Sequence, residues 1–225
     1  MKALFISLLL ATACSVQADY AEVLAKYVDT DGMVNYAALS KNRKPLDDYI
    51  RSLETVSSTD WTQEDGIAFW INAYNARTLQ VIVDHYPTKS IRKIPGAWKK
   101  LTFPIQGKER TLDEIEHKIL RKQYKEPRIH MALVCAARSC PKLRNEPYEG
   151  KRLDEQLADQ SRDFLSHPDR FQIKGKTVRI SPIFKWFKGD FESVPDFIQQ
   201  YSGKNISGLK IKYQSYDWSL NEQSK

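Results

Sequence analysis

His130, Cys135 and Cys140 fall within one stretch, Pro127-Arg-Ile-His-Met-Ala-Leu-Val-Cys-Ala-Ala-Arg-Ser-Cys-Pro141, and a thiol near an imidazole can act as a nucleophile with a base. Pro141 suits the first position of a helix. Cys140 would then occupy the N-cap, where free N–H groups and the helix dipole favour a thiolate, which makes it the preferred nucleophile. His130 or His117 is the candidate base, and Glu116, Asn72 or Asn75 would orient it. Such a cluster suits acyl transfer or hydrolysis of a peptide or amide, although no papain-type or transglutaminase-type motif is present. The same residues admit other chemistry. Cys135 and Cys140 can pair as a disulfide closing a small loop, worth roughly 2 kcal/mol in the usual model, and His130 is then an ordinary core histidine. A reversible pair, with Cys135 resolving Cys140, would make a redox protein, but the C-x4-C spacing departs from C-x-x-C. His117, His130, Cys135 and Cys140 have the atom types for zinc at a spacing that matches no compact zinc signature. Neither a metal nor a cofactor is therefore expected. Arg128, Arg138 and Arg144 flank the cysteines, and Arg128 is a candidate for binding a carboxylate or phosphate.

These side chains must be positioned by the elements around them. Ile129 to Val134 reads as a short buried strand feeding a polar loop. Thr62 to Tyr86 reads as a helix with a Thr62-x-x-Asp65 start, apolar nearly all round and closed by Pro87, so it should pass through the core. Asn72 and Asn75 on it are then buried amides, which either bond to neighbouring backbone or orient a catalytic group. Thr111-Leu-Asp-Glu114 is a capping box that opens a helix to about Tyr124 and carries Glu116 and His117. Further helices are read at 20–27, 45–56, 153–165 and 182–187. Asp29-Thr-Asp-Gly32 reads as an Asp-Gly turn, because Met33 stands where a calcium loop needs an oxygen ligand. A strand and turn are expected over 102–107, a hairpin around Lys174-Gly-Lys176, and a last strand over 209–213 followed by a packed aromatic tail at Tyr216-Asp-Trp218. Helices without regular strand–helix alternation predict an α+β fold, a single compact domain with several helices on a small mixed or antiparallel sheet.

Lys2, the apolar run 3–13 and Val16-Gln-Ala18 have the pattern of a secretory leader, with cleavage expected after Ala18. Processing to a lipidated Cys14 is the lesser alternative, since Ala11 is a poor substitute for the usual Leu. Residues 1–18 are thus expected to be a signal peptide and 19–225 one globular domain, exported to the periplasm or secreted. About 200 residues suffice for one sizeable core. The chain carries 35 Lys+Arg against 28 Asp+Glu, formally +7, and the charges are scattered. A scattered positive surface argues against nucleic acid, as does export. No integral membrane segment is expected after leader removal. Three cysteines become two on cleavage, and an oxidising compartment would let those two pair.

Phe69-Trp-Ile-Asn-Ala-Tyr-Asn-Ala76, Ser90-Ile-Arg92, Leu112 to Arg121, Pro127 to Ala136, Ser139-Cys-Pro141 and Tyr216-Asp-Trp218 together resemble the family catalogued as domain of unknown function 547, over most of the processed chain. That family carries no established reaction. Some eukaryotic members join the domain to glutaredoxin-like modules, which implies thiol chemistry by association only. The leading expectation is a cysteine-dependent hydrolase or acyltransferase centred on Cys140. The alternatives are a non-catalytic envelope protein with a Cys135–Cys140 disulfide and a groove lined by Trp70, Trp98, Trp186 and Trp218, or a thiol–disulfide redox protein. The expected partner is an unidentified peptide, amide or glycan.

Overall fold

The computed structural model describes residues 19–224. The expected leader and Cys14 lie outside the described residues. Residues 19–27 form helix α1, whose Tyr20, Val23, Leu24 and Tyr27 are buried. The Asp29–Gly32 turn follows as expected: Asp29 Oδ1 accepts the N–H groups of Asp31 and Met33. Helices α2 (Tyr36–Lys41) and α3 (Lys44–Ser52) then lead to α4 (Gln63–Asp84).

Helix α4 is the axis of the larger core. Thr62 Oγ1 accepts the Asp65 N–H while Asp65 accepts that of Thr62, which closes the expected capping box. Trp70, Ile71, Tyr74, Ala76, Leu79 and Ile82 are all buried, so the helix presents apolar side chains in every direction. After the hairpin of β1 (Phe103–Ile105) and β2 (Lys108–Arg110), a second capping box at Thr111 and Glu114 starts α5 (Leu112–Glu114). That helix widens at once into a π-helix over Ile115–Tyr124. Sustained π-helix is rare, and shorter π-bulges concentrate at functional sites.

A smaller core forms from α6 (Leu153–Ser166), the strands β3 (Phe171–Lys174) and β4 (Thr177–Ile180), α7 (Ile183–Trp186) and α8 (Val194–Ser202), with the exposed strand β5 (Lys210–Tyr213) at its margin. β3 and β4 are antiparallel, as the Lys174-Gly-Lys176 turn predicts, while β5 joins β4 in parallel, so the sheet is mixed. The fold is compact α+β. Among the described residues, no helix is long and apolar enough to cross a membrane.

Two expectations fail in the central stretch. Ile129 to Val134 is not a strand: Pro127–Met131 is a 3-10 turn, and the chain then runs irregularly to the cysteines. Its main chain is satisfied by a side chain rather than by a sheet. Asn75 Oδ1 accepts the Val134 N–H at 2.9 Å, and Asn75 Nδ2 donates to the Ala132 carbonyl at 3.0 Å. Nor does a helix follow Pro141, since the next helical turn begins at Gly150. The N-cap activation expected for Cys140 is therefore absent. The segment 129–134 spans both cores, with Ile129 and Ala132 in the larger and Met131 in the smaller.

Candidate functional site

Cys135 and Cys140 lie at disulfide distance, with their Cα atoms 6.3 Å apart. The four-residue loop between them is clamped by the C-terminal segment. The N–H groups of Arg138 and Ser139 donate to the carbonyls of Ser219 and Asp217, and that of Asn221 donates to Ala136. Ser139 Oγ accepts the Asp217 N–H at 2.8 Å. Ala136 is held at φ +57°, in the left-handed region that costs a residue with a Cβ about 1 kcal/mol. Cys140 is the more enclosed sulfur residue at 2 % exposure, and Cys135 is half-buried.

The same clamp brings Tyr216 over the sulfurs. Its hydroxyl donates to Cys140 Sγ at 3.1 Å and stands 3.5 Å from Cys135 Sγ, while the Cys135 N–H donates to Cys140 Sγ at 3.1 Å. Burial pushes the Tyr216 hydroxyl well up, so it remains a donor. Tyr216 packs on Trp186 and Trp218, with ring centroids 4.9 and 4.7 Å away, and Trp98 meets Trp218 edge-on. Three of the four expected tryptophans thus gather beside the cysteines. Trp70 does not, being buried against Phe69.

Glu116, on the π-helix, accepts a hydrogen bond from the Tyr74 hydroxyl at 3.3 Å. Part of the residue meets solvent, yet its carboxyl is densely surrounded. Burial pushes it up to about 7, against the opposing pull of the Tyr74 hydrogen bond and Arg121. Its charge is felt at Tyr216 as well as Tyr74. The acid, the two phenols and the sulfurs form one neighbourhood.

The histidines belong to another. His130 stacks on Phe187 with centroids 4.0 Å apart, and its Nε2 lies 2.7 Å from Asp190 Oδ2. Burial pushes its imidazole down to about 4, although the Asp190 hydrogen bond pulls the other way, so at neutral pH a neutral ring donates to the carboxylate. Arg121 grips Asp190 through Nε at 2.5 Å and Nη2 at 2.9 Å. Burial pushes the Asp190 carboxyl up, but the bonds from Arg121 and His130 outweigh it and hold the group below the usual carboxylate range. His117 sits beside Arg121, its imidazole pushed down by burial against the pull of Asp113. Among the described residues, neither histidine hydrogen-bonds a sulfur, and no group of three or more His, Cys, Asp or Glu stands together to hold a metal ion. The four-residue zinc set is not assembled.

Asn72 and Asn75 are both spent on main chain. Asn72 pairs with the N–H and carbonyl of Tyr148 as Asn75 does with Val134 and Ala132. Arg128 is paired with Glu126 and Asp154. Tyr216 and Asp190 went unrecognised as site residues in the sequence. In the sequence Tyr216 is marked only by its place in the Tyr216-Asp-Trp218 motif, and Asp190, beyond a short helix, carries no signal.

Within the stretch from Phe69 to Pro141, Tyr74 meets Glu116 and Asn75 holds the segment that leads into the cysteines. Residues 58–165 match the family described as "Protein of unknown function, DUF547". This is about half the chain, a narrower span than the motifs suggest, and Tyr216 lies outside it. Within the DUF547 match fall Glu116, His130 and both cysteines. No curated protein and no solved structure matches the chain.

Proposed function

We propose that this chain is an exported thiol–disulfide exchange protein whose Cys135–Cys140 pair accepts electrons from substrate thiols. The observation that carries the proposal is the convergence of two donors, the Tyr216 hydroxyl and the Cys135 N–H, on Cys140 Sγ. A disulfide sulfur is a weak acceptor, whereas a thiolate gains roughly 1.5–3 kcal/mol from each such bond. The donors therefore favour the reduced state with its charge on Cys140. A substrate thiolate attacks the sulfur of Cys135, the less buried residue of the two; the Cys135–Cys140 bond breaks, and its electron pair leaves with Cys140 as a stabilised thiolate. A lower leaving-group pKa speeds this step. A second substrate thiolate then attacks the mixed disulfide at the substrate sulfur. The substrate leaves as a disulfide and Cys135 as a thiolate that takes up a proton. An acceptor disulfide must afterwards reoxidise the pair. The partly buried Glu116, which titrates near neutral pH and is hydrogen-bonded to Tyr74 within reach of Tyr216's field, is suited to exchange the proton.

Hydrolysis by Cys140 needs a free thiolate and an imidazole base, and the geometry favours exchange over it. The test is equilibration with glutathione buffers, scored by alkylation of freed thiols and mass analysis. A potential above about −230 mV, in the range of catalytic disulfides, supports exchange. A pair still oxidised below about −300 mV overturns it in favour of a structural disulfide beneath an aromatic binding surface.

A further inference from the structure

All four exposed large apolar side chains among the described residues, Ile173, Trp186, Ile211 and Tyr213, lie on or beside the β3-β4-β5 sheet. Strand register explains why. Val178 and Ile180 on β4 pair with Ile211 and Tyr213 on β5 and share their face, yet the β4 residues are buried while Ile211 is 40 % and Tyr213 43 % exposed. β5 overhangs the smaller core. It is also an edge: Lys210 and Gln214 donate their N–H groups to Lys176 and Ile180 on the β4 side, so the main-chain groups of Ile211 and Tyr213 point outward. Among the described residues no strand pairs with that edge.

The opposite face of the sheet is cationic. Lys174, Arg179, Lys210 and Lys212 are exposed there in cross-strand register, and among the described residues none is in an ion pair. Lysines on an edge discourage pairing with a second copy, whose own Lys210 and Lys212 would be brought close. An acidic strand meets no such repulsion. β5 also leads to the cysteines. Tyr216, the residue donating to Cys140, lies three positions beyond Tyr213, a span of at most about 10 Å. Trp186, 48 % exposed, packs on Tyr216.

We infer that the open edge of β5 docks an extended polypeptide of alternating acidic and apolar residues by strand addition, and delivers a cysteine just beyond it to the Cys135–Cys140 pair. The delivery step rests on the exchange function proposed above; the docking does not. Main-chain bonds to Ile211 and Tyr213 give the affinity. The lysine face selects acidic side chains, and Ile211, Tyr213 and Trp186 receive the apolar ones.

The probe is a fluorescein-labelled ten-residue peptide alternating Glu and Val, with a terminal Ser in place of the cysteine, read by anisotropy against the full chain. It is expected to bind about tenfold more tightly than its Lys-Val counterpart at low salt. Lys210→Glu with Lys212→Glu, both on the surface, should reverse that preference. N-methylation at one set of alternate positions should abolish binding, and at the other set leave it intact. Indifference to charge reversal and to methylation phase, or no binding, overturns docking and leaves the lysines as guards against aggregation. With cysteine restored, oxidation of the docked peptide should outpace that of glutathione by about tenfold. Binding without oxidation supports docking and overturns exchange alone.

Discussion

At Cys140 Sγ, two donors meet a sulfur that is nearly sealed from water, and their energetic effect depends on the charge that sulfur carries. Replacing Tyr216 by Phe removes one donor and keeps the ring that packs on Trp186 and Trp218. The Cys140 thiol pKa should rise by about one to two units, read by thiolate absorbance in the reduced protein. The potential should fall by about 30 mV or more, because the reduced state loses more from this donor than the weakly accepting disulfide does. An unchanged potential would make the hydroxyl contact incidental to exchange. Ala136, next to the attacked sulfur, makes a separate prediction. Its φ of +57° suits glycine, so Ala136→Gly should relieve strain while gaining unfolded-state entropy. The net expectation is a stability gain of up to about 1 kcal/mol, seen as a higher urea midpoint; a loss would show that the loop needs the Ala136 methyl more than it suffers from the backbone.

Between elements, α4 holds its neighbours with two amide latches, Asn72 on Tyr148 and Asn75 on the 132–134 segment. Asn75→Ala would leave a buried N–H and a buried carbonyl unpaired, at about 3 kcal/mol. Thr62→Ala should cost only about 1 kcal/mol, because it removes a cap that water can replace. Urea unfolding of both variants gives the comparison, and faster amide exchange at Val134 should accompany the first. Equal losses would refute the latch. Such latches also mark the limit of what the sequence disclosed. Helices α4 and α6 were legible because burial repeats at helical spacing, and the β3–β4 hairpin because its turn residues sit between alternating runs. The latched segment has no period of its own: its apolar run reads as a strand until a side chain from 57 residues earlier is known to satisfy it. The parallel docking of β5, Tyr216 over Cys140, and Asp190 beneath His130 are long-range pairings that local spacing cannot encode. The cysteines themselves were legible, but which partners they meet was not.

Across the whole molecule, two cores meet at a seam that carries two oppositely shifted titrating groups, Glu116 on one side and His130 with Asp190 and Arg121 on the other. Their effects on stability have opposite signs. Glu116 ionises at about 7 in the folded chain against an ordinary value of 4.5, so the folded state holds a proton the unfolded state has lost, and stability falls as pH rises from about 4.5 to 7. His130 is pushed down to about 4 from 6.5, so the unfolded state holds the extra proton, and stability is lost as pH falls from about 6.5 to 4. Each effect is bounded near 3 kcal/mol, and that of Glu116 is smaller to the extent that water reaches its carboxyl. Where the two windows overlap, they offset each other, and this pair of groups should contribute little net pH dependence between about 5 and 6.5. Glu116→Gln, which keeps an oxygen for the Tyr74 hydroxyl, should expose a stability that rises with pH through that window. His130→Phe, which keeps the stack on Phe187, should expose one that falls. Urea midpoints measured in half-unit pH steps decide it: parallel profiles for the two variants would mean that these groups do not govern the seam, whereas slopes of opposite sign would place the pH response of the fold at the junction of its two cores.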